Sequence, residues 1–222
     1  LLMQKLYKER KVVGISLKKI SGKVARYEEV NISRLTPRLK KDMYNFDITQ
    51  IKMALNIARK KFSSQDTRIF LTGKGSDTVY NFQIKGNTSS TYANLKWEPT
   101  MKGAAAARLG KAPVAMVMDL LESYRFDYVN DHYQYPRTKP EFQKEEKKWL
   151  ALFKKISKKV DTGIIEKDFI KNLTTVFGTR EKHIASSKLM QLKFLSELLK
   201  LTKDAQNELM TDIAFIAQKK GK

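Results

Sequence analysis

The hydrophobic pattern of this chain has a period of two from residue 67 to 86 and a helical period after residue 140, and that switch limits its architecture more than any other feature. Arg68-Ile69-Phe70-Leu71-Thr72 and Thr78 to Lys85 read as two strands joined by Gly73-Lys74-Gly75-Ser76-Asp77. In the second strand Phe82 and Ile84 share an apolar face, while Asn81, Gln83 and Lys85 share a polar one. After residue 140 four apolar stripes follow at helical spacing. They are Trp149-Leu152-Phe153-Ile156, Phe169-Leu173-Phe177 with a stop at Gly178, Leu192-Leu195-Leu199, and Leu209-Ile213-Ile216. The pattern predicts an α+β fold: a small mixed sheet with flanking helices, followed by an all-helical C-terminal half.

Between these parts the reading is finer. Asp47 and Gln50 have capping-box spacing, and Ile48, Ile51, Leu55, Ala58 and Phe62 fall at helical spacing, which predicts a helix over 47–62. Residues 86–100 read as a long loop holding Tyr92, Trp97 and Glu98, a length associated with function. Gly103 to Gly110 reads as a short alanine helix, and Pro113 opens a further helix through 125. Residues 130–140 read as an extended surface loop in which Tyr133 and Tyr135 are free to stack on bases. The expected organisation is an α+β module over 1–128, a linker or surface loop over 129–140, and a helical domain over 141–222.

At the N-terminal end, Val12-Val13-Gly14-Ile15-Ser16-Leu17-Lys18-Lys19-Ile20 reads as one more strand, sharing a sheet with 67–86. Ser16 and Lys18 lie on one face of it, Ile15 and Leu17 on the other. An ammonium on the inner half of a strand needs an anion beside it, and a phosphate or a metal-bound carboxylate would serve. The same pattern suits an edge strand whose lysines stand in water and discourage edge pairing.

Charge narrows the partner. Lys and Arg number 44 against 23 Asp and Glu, a net charge of +21. Self-repulsion makes such an excess a burden on folding, and the usual compensation is a polyanion, nucleic acid first. A hydrophobic content of 41% with 11 Phe, 9 Tyr and 2 Trp argues for a folded protein and against a disordered basic tail. The absence of cysteine excludes disulfides and thiolate zinc sites. His132 and His183 support neither a histidine metal site nor a Ser-His-Asp set, and no glycine-rich phosphate loop is present. The sequence has no apolar run of membrane-spanning length and no recognisable signal peptide. Lys147, Lys148 and their neighbouring lysines flank Trp149 and Phe153, which sit at core spacing, so the lysines form the solvated face and the aromatics the buried one.

The charged turn Lys8-Glu9-Arg10-Lys11 followed by Val13-Gly14-Ile15-Ser16-Leu17-Lys18-Lys19 resembles the lysine strand of the PD-(D/E)XK, restriction-endonuclease-like nuclease superfamily. That family carries an Asp on one strand and an (Asp/Glu)-x-Lys tripeptide on the next. Ser16-Leu17-Lys18 would occupy the tripeptide, with Ser16 where the acid is usual and Lys18 as the catalytic lysine. No strand bearing the first Asp precedes it, so an upstream segment is expected to be missing from a chain that opens at Leu1. The strand Tyr80 to Lys85, Glu98, and Lys102-Gly103-Ala104 through Arg108-Leu109-Gly110-Lys111 is similar to a set that flanks the cleft in phage-encoded relatives.

The resemblance implies Mg²⁺-dependent phosphodiester cleavage of DNA, with Lys18, Ser16 and Glu98 catalytic and Glu98 on the metal. Lys19, Lys85, Lys102, Arg108, Lys111, Tyr133, Tyr135, Lys147 and Lys148 would contact nucleic acid. The expected setting is a phage protein in the host cytoplasm or the virion, with no membrane partner and with homo-oligomer or virion assembly as a further association. The alternative is a non-enzymatic basic nucleic-acid-binding or virion structural protein.

Overall fold

Five strands in the order β1-β4-β5-β6-β7 form the main sheet of this computed structural model, with every pairing antiparallel. The structure describes residues 46–62, 67–73, 79–86, 95–101, 110–127 and 135–219. All of them fall within one of two compact units into which the chain divides, Thr36–Gly221. The strands are β1 (Phe46–Lys52), β4 (Thr67–Gly73), β5 (Val79–Lys85), β6 (Lys96–Met101) and β7 (Ala112–Pro113). A separate two-stranded ribbon pairs β2 (Ile57–Ala58) with β3 (Lys61–Phe62). Six α-helices follow among the described residues: α1 (Met118–Ser123), α2 (Lys139–Lys144), α3 (Glu146–Ile156), α4 (Glu166–Phe177), α5 (Lys182–Leu198) and α6 (Lys203–Lys219). The α+β reading holds, with the sheet antiparallel over these strands where a mixed one was expected. No strand is found beyond residue 140 among the described residues; the nearest approach is one isolated parallel bridge between Lys52 and Asp161. The expected N-terminal strands over 8–30 and all but Gly110 of the alanine helix expected at 103–110 lie outside the described residues.

The helix expected over 47–62 is β1 followed by the β2–β3 ribbon. A bulge explains the misreading. Ile48 pairs with Leu71 and Ile51 with Ile69, so one extra residue separates two core-facing positions. That insertion turns the strand spacing of two into a spacing of three, which imitates a helix. The ribbon turns through Arg59 and Lys60, both at positive φ (52° and 62°). Asn-Gly would have signalled this geometry in the sequence; Arg-Lys does not. The expected loop 86–100 ends in β6, with Trp97 in the core and Glu98 on the other face. Pro99 hides this strand, because proline lacks the N–H a central strand needs. β7 pairs only with Lys96 and Trp97, so Pro99 sits where the outer side of β6 has no β7 partner to serve.

The apolar face of the sheet carries Ile48, Ile51, Ile69, Leu71, Phe82, Ile84 and Trp97, all buried. α5 and α6 pack on it, with Trp97 edge-on to Phe194 at 5.1 Å. α3 and α4 pack on α5, and Phe153 stacks on Phe169 at 4.3 Å. Among the described residues, the helices after residue 140 therefore share the sheet's core. Tyr135 and Pro136, expected on a surface loop, are buried at the entry to α2. There Thr138 caps the helix by accepting the Glu141 N–H, and the Glu141 carboxylate accepts the Arg137 N–H. The helix expected from Pro113 is present in part, as a 3-10 turn over Val114–Met116 and then α1.

β1 is an edge strand whose outer groups are met from the helical half. The Phe46 N–H donates to Thr211 Oγ1 (3.2 Å) and the Ile48 N–H to Asn207 Oδ1 (2.9 Å), both from α6. Lys203 donates to the Ile48 carbonyl. Further along, the Asp161 N–H donates to the Ile51 carbonyl (3.0 Å), and the Met53 N–H donates to the Asp161 carbonyl (2.7 Å). At the far end of β5, Gly86 lies so close to α5 that a Cβ would stand 2.2 Å from Ser187 Cβ.

Asn207→Ala leaves the buried Ile48 N–H without an acceptor and should lower unfolding stability by about 1–3 kcal/mol in urea denaturation. Gly86→Ala should cost about 1–3 kcal/mol through the same clash. Adding Ser187→Gly should recover part of that loss despite the penalty of glycine in a helix, about 1 kcal/mol. No recovery in the double variant would show that the close approach is not the cause.

Candidate nucleic-acid interface and the Glu98 cluster

Two groups of charged side chains emerge from this framework, one on the sheet and one on the helices. On the sheet, Arg68, Gln83 and Glu98 are cross-strand partners in one row, and Phe70, Asn81 and Thr100 form the next. These rows make up the face opposite the apolar core, as the alternation in β5 predicts. Glu98 is nevertheless buried, at 2% exposure, as are Asn81 and Thr100. A carboxylate removed from water must be neutralised. Lys85 on β5 stands 2.9 Å from one Glu98 oxygen and Lys96 on β6 stands 3.5 Å from the other. The pairing follows from register: Lys85 is opposite Lys96, one alternation along from Gln83 and Glu98.

This geometry corrects the picture of Glu98 as a loop acid. It is a strand residue engaged by two ammonium groups. Among the described residues no three His, Cys, Asp or Glu side chains gather as a metal-holding group. One carboxylate facing two cations is a poor seat for a dication, because the lysines repel the ion that the acid attracts. The described residues do not fit a Mg²⁺ site. Ser16, Lys18, Lys19, Lys102, Arg108 and Tyr133 lie outside the described residues, so the convergence of Lys18 with Glu98 and Lys111 falls there too. Lys111 itself is exposed next to β7, with its N–H donated to the Ala217 carbonyl (3.1 Å).

The second group is on α3. Trp149, Phe153 and Ile156 are buried along one stripe, and Lys144, Lys147, Lys148, Lys154, Lys155, Lys158 and Lys159 are exposed around it. The division into buried aromatics and solvated lysines is the expected one. Glu145 offsets Lys148 at 3.3 Å and Glu166 offsets Lys154 at 2.6 Å. Lys147, Lys155, Lys158 and Lys159 have no ion-pair partner among the described residues. Tyr135, expected to be free to stack on bases, is 6% exposed with its ring 5.9 Å from that of Trp149. Burial raises the pKa of its hydroxyl, and the negative charges of Asp127 and Glu197 raise it further.

Sequence reasoning missed the acid-base chain that borders α3. Lys193 on α5 donates to Asp127 (2.8 Å) and to Glu197 (3.0 Å), and Lys200 reaches Glu197 at 2.7 Å. Glu197 is buried. The hydrogen bond and then the charge of Lys193 hold Asp127 below its ordinary pKa. Burial works against the Lys193 ammonium most, yet the hydrogen bonds and charges of Asp127 and Glu197 together raise its pKa. The spacing of Lys193, Glu197 and Lys200 on one helix face was a usable signal for part of this chain. Asp127, distant in sequence, was not.

Glu98→Gln removes the charge that two part-buried lysines depend on. It should destabilise the protein by about 3 kcal/mol, the lower end for breaking a buried pair, measured as a fall in denaturation midpoint. An unchanged midpoint would mean that Lys85 and Lys96 find water as readily as they find Glu98. Comparison with protein-family models, curated proteins and solved structures finds no match to this chain.

Proposed function

We propose that this chain is a nucleic-acid-binding protein, DNA first, that neutralises phosphates with the lysine surface of α3 and the turn after it. The observation that carries this reading is the run of exposed lysines without an ion-pair partner on α3 and the turn after it. Acids are drawn into contacts with Lys52, Lys85, Lys96, Lys148, Lys154, Lys193 and Lys200, while Lys147, Lys155, Lys158 and Lys159 are left exposed without a described counter-ion. A face of solvated ammonium groups over a rigid helix contacts phosphates without reading bases. Among the described residues no helix is long and apolar enough to cross a membrane.

The cleavage part of the nuclease resemblance depends on Ser16 and Lys18 together with an acid partner. The neutralised state of Glu98 favours the alternative reading, in which the protein binds or packages nucleic acid without cutting it. The two part on one experiment. Incubation of supercoiled DNA with the protein and Mg²⁺ should give nicking that Lys18→Ala abolishes if the nuclease reading holds, and no nicking at all if it does not.

Binding itself is tested by salt. With about 6–10 phosphates neutralised, affinity for duplex DNA should fall roughly 10³–10⁵-fold between 50 and 200 mM salt. Changing Lys147, Lys155, Lys158 and Lys159 together to Gln should make the slope of log affinity against log salt shallower by up to about 3.6, about 0.9 for each phosphate no longer neutralised. Affinity that stays flat across the salt range would overturn the proposal.

A further inference from the structure

Between α3 and α5 lies a cleft of about 500 Å³ lined by Asp127, Tyr135, Lys148, Trp149, Ala151, Leu152, Lys155 and Lys193. Its volume lies within the range of small-molecule sites, roughly 300–1,000 Å³. The α3 wall is built by periodicity. Lys148, Ala151, Leu152 and Lys155 stand at i, i+3, i+4 and i+7, so two lysines bracket an apolar stretch whose centre is opened by the small side chain of Ala151. The Lys148 ammonium sits 5.1 Å from the Trp149 ring centroid and 3.3 Å from the Glu145 carboxylate, and Lys155 has no ion-pair partner among the described residues. The opposite wall is of different character. There Lys193 fixes the Asp127 carboxylate at 2.8 Å, while Asp127 itself is 78% exposed and free to accept from a ligand.

We infer that this cleft is a nucleotide subsite, holding a nucleoside monophosphate unit with its phosphate at Lys148 and Lys155 and the exocyclic amine of its base toward Asp127. The inference deepens the binding reading above and rests on it. Charge complementarity selects the ligand: the α3 wall presents cations separated by apolar surface, which suits an anion carrying a flat apolar body. The α5 wall presents a carboxylate, which accepts hydrogen bonds and donates none. Adenine, cytosine and guanine carry an amino group to offer it, and thymine does not. Asp127 and Lys193 hold each other in place, so the acceptor is oriented before the ligand arrives.

The test uses the full chain and calorimetric titration with AMP, TMP, adenosine and inorganic phosphate. AMP should bind at least ten-fold more tightly than TMP, adenosine or phosphate. Ala151→Glu, an exposed helix position, places a carboxylate in the cleft and should abolish AMP binding; four residues from both Lys147 and Lys155, it should also weaken duplex DNA binding. Asp127→Asn should remove most of the preference for AMP over TMP. Competition by a 5′-phosphorylated single strand would identify the bound unit as a strand end, and its absence would identify the free nucleotide. AMP binding equal in the wild type and Ala151→Glu, or no AMP binding by a protein that still binds duplex DNA with steep salt dependence, would overturn the subsite and leave the phosphate-binding surface standing. Loss of both duplex and nucleotide binding in the wild type would overturn both.

Discussion

The closure of the outer edge of β1 is the constraint on which the described architecture depends. An edge strand exposes a row of N–H and C=O groups that must find partners, and an open edge invites pairing with another chain. Here the partners come from residues more than a hundred positions away. Thr211, Asn207 and Lys203 of α6 serve the first part of the strand, and the backbone at Asp161 and Thr162 serves the last part. Asn207 acts twice, accepting from the Ile48 N–H and donating to the Asp47 carboxylate at 2.8 Å. The loop after β1 is tied again by Asn172 of α4, whose amide donates to the Leu55 carbonyl. The sheet therefore cannot complete its hydrogen bonding without the helical half, and the two halves form one cooperative core.

α5 shows the consequence at the centre of the molecule. A surface helix has one apolar stripe, but this helix is enclosed by the sheet on one side and by α3 and α4 on others. Thirteen of its residues are buried, among them Ser186, Ser187, Lys188, Gln191, Ser196 and Glu197. Polar groups in such a position need partners close at hand. Thr67 at the start of β4 donates to Gln191 at 2.6 Å, and Glu197 draws in Lys193 and Lys200. Small side chains serve a second purpose: Ser187 and Gly86 allow helix and strand to approach more closely than a larger pair would permit.

Legibility in the sequence followed how local the determining physics was. β4, β5 and the stripes of α3 to α6 are fixed by alternation within each segment, and all were readable. β1 was not, because a bulge gave Ile48 and Ile51 a helical spacing and Asp47–Gln50 imitated a cap. The true capping arrangement, Thr138 with Glu141, sat inside a stretch read as loop, because two prolines and two tyrosines outweighed it. β6 was hidden by Pro99, whose tolerance depends on β7 being only two residues long. The polar face of β5 was predicted from alternation, but its pairing with Glu98 needed the register of a strand that was itself unseen. The burial of Tyr135 depends on Trp149 and the α2 turn, a tertiary arrangement that composition could not convey.

Electrostatics ties the core to the surface. A protein with this excess of lysine must place most of its cations where they do not repel one another inside the fold. Some of the described carboxylates serve that task. Glu98 and Glu197, both buried, each hold two lysines at the core boundary, and Asp161 pairs with Lys52 beside the closed edge of β1. Acids used to quiet lysines next to the core cannot also quiet those on the outer face of α3. Part of the remaining positive charge stands on α3 and the turn after it, as Lys147, Lys155, Lys158 and Lys159, where its cost is low in water and it attracts a polyanion. Internal neutralisation and external attraction are thus two results of one distribution, and the lysines that carry the proposed function are the ones the fold does not need.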